Sequence, residues 1–290
     1  MNNTTLYLVT VLIWGSTWFA IEFQLGVVAP EVSVVYRYVI ASSILFIYCK
    51  IKKLSLLFDV KSHLWFGFLG LFLFCLNYVF AYRAQVHITS ALAAIAFSTM
   101  LWINIGLSRL FFGTRAGAQV LLGALLGIVG IVLIFAPQVQ SVSMTDSMFF
   151  GLVLAMLGAL SSSCGNMVSQ AAQGRTLPVM QANAWGMLYG ALLTAIIALV
   201  QGHEFTFDRT FTYIVSLAYL AIFGSVVAFG AYLTLLGRIG AHRAGYATVM
   251  FPVVALILSM LFEGLSLDVT IALGTALVLT GNLLVLKERQ

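Results

Sequence analysis

The chain has 290 residues, 62% of them hydrophobic and 8% charged, with a formal net charge of +5 and a mean hydropathy of +1.06. So few charges exclude a soluble globular domain, whose outward faces would have to be polar. A bilayer core about 30 Å thick takes ~20 apolar residues of helix to cross. The sequence predicts ten crossings in succession, at 6–24, 32–50, 64–85, 88–112, 117–136, 148–170, 178–200, 211–235, 241–262 and 268–287. The remaining connections are too short for an added catalytic or nucleotide-binding domain of ~100 residues.

In the first span, Thr10, Trp14 and Thr17 share one helical stripe, and Gly15, Trp18 and Glu22 an adjacent one. A face of rings and small polar groups suits a cavity wall; the plainer alternative is close helix packing. Glu22 is the carboxylate placed inside a span, and an intramembrane charge normally has a partner or a task. Arg37 of the second span lies within about one helical turn of its depth. The two are expected to form a bridge, as an outer gating or charge pair or as a structural one. Asn77 and Tyr78 in the third span and Ser98 and Trp102 in the fourth occupy middle to outer depths, as does Tyr82. Gly123 and Gly127 of the fifth span fit GxxxG packing.

In the sixth span Ser162 and Asn166 share a face. Asn183, Trp185 and Tyr189 follow in the seventh, beside a second GxxxG at Gly186 and Gly190. In the ninth, Tyr246 and Met250 precede Pro252, which removes a backbone donor and should kink the helix near Thr248 as a hinge or a simple bend. Trp14, Thr17, Asn77, Tyr78, Ser98, Trp102, Asn166, Trp185, Tyr189, Tyr246 and Met250 are therefore the candidate cavity residues. Rings and amides without a cluster of cations suit a zwitterion or an amphipathic molecule, not a polyanion.

Cys49, Cys75 and Cys164 are not spaced for metal, and the four histidines do not cluster, so no metal or cofactor is expected. There is no GxxxxGK[ST] run, so ATP is not expected either. With the N-terminus inside, eleven Lys and Arg residues fall on inner connections. Only Arg37, Arg83 and Arg209 fall outside or in outer halves. That asymmetry is the positive-inside pattern for an even number of spans, so both termini are expected in the cytoplasm and the basic excess reads as topology, not nucleic-acid binding.

The two halves repeat. Pro30 opens the second span and Pro178 the seventh, 148 residues later; Gly123 and Gly130 match Gly274 and Gly281 at an offset of 151. Five spans per unit require the second copy to insert upside down. The expected domains are residues 1–140 and 141–290, as inverted five-helix repeats of an all-α membrane protein with a site between them. Trp14-Gly15-Ser16-Thr17, Pro30 with Arg37, Ala159 to Asn166, Pro252 and Glu263, in that order over the whole chain, resemble the EamA-type drug/metabolite transporter family. Glu22 departs from that pattern, since similar members often carry a basic residue there. The resemblance implies a multi-pass protein of the bacterial inner membrane that exports amino acids, metabolites or drugs. It also implies a central cavity lined by spans one to four and six to nine and braced by the fifth and tenth.

The expected function is thus secondary export of a small molecule by alternating access, as a monomer, with a dimer as the alternative assembly. A flippase for a lipid-linked substrate is the alternative function. An intramembrane enzyme would need a convergent constellation of reactive side chains at one depth, and the sequence shows none.

Overall fold

A computed structural model describes residues 1–140, 146–254, 257 and 269–287, and the backbone alone for 90–91, 135–140 and 286–287. The described residues form helices and no strand. In chain order these are α1 (Asn3–Glu22), α2 (Pro30–Ile51), α3 (Val60–His87), α4 (Ser90–Ser98 and Met100–Phe112) and α5 (Ala118–Gln140). There follow α6 (Asp146–Gly174), α7 (Val179–Val200), α8 (Phe211–Ile239), α9 (Ala241–Ala244 and Gly245–Met250) and α10 (Val269–Lys287). Among the described residues seven helices, α1 to α4 and α6 to α8, are long and apolar enough to cross a bilayer. Helices α5 and α10 contain shorter apolar stretches, Ala118–Ile134 and Val269–Val285. Much of the expected ninth span beyond Val254, and the expected boundary at 140–141, lie outside the described residues.

Local chemistry sets the helix starts. The side chains of Asn2, Asp59, Thr89 and Thr210 accept the backbone N–H three residues on, capping α1, α3, α4 and α8. Bonds from Ser62 hold the Asp59 carboxyl below the usual carboxylate range. Pro30 starts α2, where its missing N–H costs nothing, and Pro178 precedes α7.

Among the described residues four helices depart from α geometry, in two pairs that match between the halves of the sequence. Helix α3 is π-helical over Gly70–Leu76 and α8 over Leu220–Val227. In α4 the hydroxyls of Ser98 and Thr99 bond back to the carbonyls of Ile95 and Ala96, both at 2.6 Å, where the helix breaks. In α9 Thr248 bonds back to Gly245 at 2.7 Å inside a 3₁₀ stretch, Gly245–Met250.

Packing follows the same correspondence. Helix α2 lies along α7, α3 along α6 and α7, α8 along α1 and α2, and α4 meets α9. Helices α5 and α10 run antiparallel in close contact. A Cβ added at Gly123 would lie 2.6 Å from the Gly281 carbonyl oxygen, and one at Gly130 would lie 2.5 Å from that of Gly274. These are the residues that match at the 151 offset, now paired crosswise. The GxxxG glycines Gly186 and Gly190 likewise pack within the chain, against Phe74 and Gly70 of α3. The start of α1, the end of α8 and Asn282 of α10 come together at one end of the bundle: the Tyr7 hydroxyl donates to Asn282 at 2.9 Å, and Arg238 donates to the Met1 carbonyl at 3.0 Å.

Candidate functional site

Where α1, α3 and α4 face α6, α8 and α9, a cavity of about 50 Å³ remains in the middle of the bundle. At ~10–15 Å³ per water it admits a few waters and no metabolite. Helix α1 contributes Trp14, Thr17, Trp18 and Ile21, and α3 contributes Asn77, Tyr78 and Ala81. Phe97 and Met100 come from α4, facing Ser162, Phe229, Thr248 and Phe251 of the second half. Trp14 packs on Phe229 (4.7 Å), Tyr232 (4.8 Å) and Phe251 (5.9 Å), and its indole N–H donates to the Gly224 carbonyl at 3.0 Å. One ring from the first half thus closes on three from the second.

Of the expected cavity residues, Trp14, Thr17, Asn77 and Tyr78 line the space. Asn166 lies behind the wall, donating to the Tyr232 hydroxyl at 3.0 Å and to Asn104 Oδ1 at 3.3 Å. Its own Oδ1 and the Asn104 Nδ2 have no partner, though both are buried. Ser98 is spent on the break in α4, Met250 is buried beside the cavity-lining Thr248 and Phe251, and Trp102 is half-buried with an unpaired indole N–H.

Three expectations are corrected. Trp185 and Tyr189 do not line this cavity. They gather around His63 near the start of α3, with the Tyr189 hydroxyl 2.8 Å from His63 Nδ1 and Trp185 donating to the Leu56 carbonyl at 3.2 Å. Tyr246 is a wedge between helices, donating to the Gly123 carbonyl at 2.9 Å and touching Gly127 and Gly281. The Glu22–Arg37 bridge is not formed among the described residues, because Glu22 is exposed where Arg37 is buried. Glu22 ends α1 exposed, and Glu22→Gln should therefore move thermal stability by less than about 0.5 kcal/mol. A melting curve of the variant in detergent checks this.

Arg37 is 1% exposed and turned inward. Its Nε donates to Ser225 Oγ at 2.9 Å, Nη2 to the Tyr78 hydroxyl at 3.3 Å and Nη1 to the Tyr82 hydroxyl at 3.4 Å. The guanidinium lies 4.5 Å from the Tyr78 ring centroid. The π stretch of α8 supplies this seat, since Ser225 accepts the Nε bond and Gly224 leaves room that any Cβ would fill, 3.0 Å from Nη2. No carboxylate lies within 4.0 Å of it among the described residues. Sequence reasoning missed Ser225 and Gly224, and only the shift to π geometry reveals them.

Among the described residues the buried carboxylate is Glu31, which falls just before the expected span 32–50. It is 1% exposed at the start of α2, bridged to Arg83 of α3 and 3.5 Å from His203 Nε2 beyond α7. Arg83 also donates to Gln201 Oε1 at 2.5 Å. This network ties α2, α3 and the end of α7 on the side of the cavity opposite the termini. A second, apolar and outward-opening cleft between α4 and α6 is lined by Ile103, Phe149, Leu152, Val153, Met156, Leu157 and Leu160. It has no basic residue to hold a headgroup.

Pro252 lies in a helical stretch after the 3₁₀ segment. The Thr248 carbonyl that it was expected to free is taken by the Phe251 N–H.

The model of the EamA-like transporter family matches residues 4–136 and 149–287. Two Escherichia coli (strain K12) proteins are each 26% identical to the chain. One is described as an uncharacterized inner membrane transporter, YedA, aligned over 85% of this chain and 78% of its own. The other is described as a probable amino-acid metabolite efflux pump, aligned over 97% and 93%. A Bacillus subtilis protein described as an uncharacterized transporter, YoaV, is 23% identical over 93% of this chain and 91% of its own. A solved crystal structure, 18% identical, superposes with a TM-score of 0.79 over 99% of each chain.

Proposed function

Because the chain belongs to the EamA-like transporter family, we propose that it is a secondary transporter exporting a small metabolite, amino acid or amphipathic drug-like compound across the bacterial inner membrane. Residues 1–140 and 141–290 act as inverted repeats that rock about the central cavity to give alternating access. The observation that carries this reading is the cavity wall: helices α1, α3 and α4 meet α6, α8 and α9, each the counterpart of another five helices on. The paired π stretches, the hydroxyl-bonded breaks in α4 and α9 and the crosswise glycine contacts of α5 and α10 support the same exchange of halves. With room only for waters, the cavity is in a closed state, and passage requires the halves to part. Relatives described as transporters and as an amino-acid metabolite efflux pump fit a small-molecule cargo.

Both termini face the cytoplasm in this proposal. A reporter active only in the cytoplasm, fused at the C-terminus, should work, and activity of a periplasmic reporter there would reverse the orientation. Untargeted metabolite profiles of medium and cells from overexpressing and deletion strains should show one class of compound shifted outward by overexpression. Identical profiles would remove the export reading. Pro252 serves as a hinge, so Pro252→Ala should leave the melting temperature within a few degrees of wild type yet change turnover severalfold. Unchanged flux would assign the proline to packing.

A further inference from the structure

Arg37 has more hydrogen-bonding capacity than the protein uses. A guanidinium offers five N–H donors, yet among the described residues three bonds are made, two of them long at 3.3 and 3.4 Å and all three to neutral hydroxyls. Buried cations are normally paired, because removing a charge from water costs several kcal/mol. In the membrane interior such a charge marks a functional site by default. Here the group sits directly behind the cavity wall. Its Nη2 touches Tyr78, and Thr17 meets the same glycine, Gly224, on which the guanidinium rests; Tyr78 and Thr17 both line the cavity. None of the cavity-lining residues is charged. Arg37, with no carboxylate within 4.0 Å among the described residues, therefore biases this low-dielectric space against cations and toward anions.

Building on the transporter reading above, we infer that the cargo carries a carboxylate, as an organic acid or a zwitterion, and that Arg37 is the group that receives it. The planar fork matches two carboxylate oxygens, and displacing the Tyr78 hydroxyl from Nη2 would free it toward the cavity. Compounds of net positive charge without an acidic group are rejected.

The test uses the full chain in liposomes loaded with an equimolar mixture of amino acids, monocarboxylic acids, dicarboxylic acids, their amides, aliphatic amines and neutral sugars. Efflux is followed by mass spectrometry against protein-free liposomes. We expect every compound that leaves faster than in the controls to carry a carboxylate, and its amide to stay behind. Arg37→Gln should slow that efflux roughly ten- to a hundredfold, the range for a hydrogen bond between charged groups, while Arg37→Lys retains part of it. Selective release of an amine or a sugar by the wild type would overturn the inference and leave the transporter reading intact, as would equal carboxylate efflux by Arg37→Gln. Should Arg37→Gln fail to fold, Tyr78→Phe with Arg37 in place carries the test: it keeps the charge, so selectivity for carboxylate over amide must persist, and its loss counts against Arg37. No efflux of any compound from wild-type vesicles would remove the transporter reading and this inference with it.

Discussion

Gly123→Val is expected to be among the most damaging single substitutions in the protein. Backbone meets backbone at this point of the α5–α10 contact, and even a Cβ would come within 2.6 Å of the Gly281 carbonyl oxygen and 2.7 Å of a Val285 methyl. Neither can yield cheaply, because the Gly281 carbonyl belongs to a helix and Val285 is buried. Membrane helices gain little hydrophobic energy from meeting one another and depend on such close approach. Overpacking a tight core costs about 1–3 kcal/mol, and a branched side chain against a backbone belongs at the top of that range. The partner substitution Gly281→Val should do the same. The melting temperature of purified protein in one detergent measures both, with Gly67→Ala as the control, since nothing lies within 4 Å of a Cβ there. Equal melting of Gly123→Val and wild type would mean that α5 and α10 do not brace the bundle.

Arg83→Met is the second large effect expected, through the carboxylate left behind. Glu31 is 1% exposed, and among the described residues only His203, at 3.5 Å, would remain paired with its charge in this variant. Breaking a fully buried pair costs about 3–5 kcal/mol and an exposed one about 0–1. With Arg83 itself 38% exposed, a loss of about 2 kcal/mol lies between those limits. Adding Glu31→Gln removes the stranded charge, so the double variant should recover much of the loss. A double-mutant cycle on melting free energies reads the coupling directly. Strictly additive losses would make the two residues independent. The same pair joins α2 to α3 on the side of the cavity away from the N-terminus, so weakening it should also raise leak through that side.

The membrane class and the positions of the helices were legible in the sequence because hydropathy reports depth, and depth is what a bilayer imposes. Rotation about each helix axis was much less so. Trp14, Thr17, Asn77 and Tyr78 do face the cavity, and the first span's mixture of rings and hydroxyls pointed there. Trp185, Tyr189 and Tyr246 have suitable chemistry at suitable depth and yet turn elsewhere. Glu22 and Arg37 show the same limit, since their expected depths suggested a bridge, whereas Glu22 is exposed and Arg37 buried. The π stretches escaped notice because Gly70–Leu76 and Leu220–Val227 are as apolar as their neighbours and differ only in hydrogen-bond register. That change of register brings Gly224 and Ser225 to Arg37. Glu31 sits at the edge of the expected second span, where burial cannot be read from hydropathy, and only the approach of Arg83 from α3 shows it to be buried.

In the proposed cycle cargo crosses through the space beside Trp14 and Thr17 as the two halves alternate, and exchange flux reads that crossing. Liposomes containing the protein are loaded with an isotopically labelled compound that it releases, and efflux is timed with and without the same unlabelled compound outside. Alternating access predicts that external compound speeds release severalfold, because the cavity returns loaded. It also predicts that Thr17→Trp, which fills the cavity, abolishes release while the protein remains folded. Release indifferent to external compound, or wild-type flux through Thr17→Trp, would contradict the account.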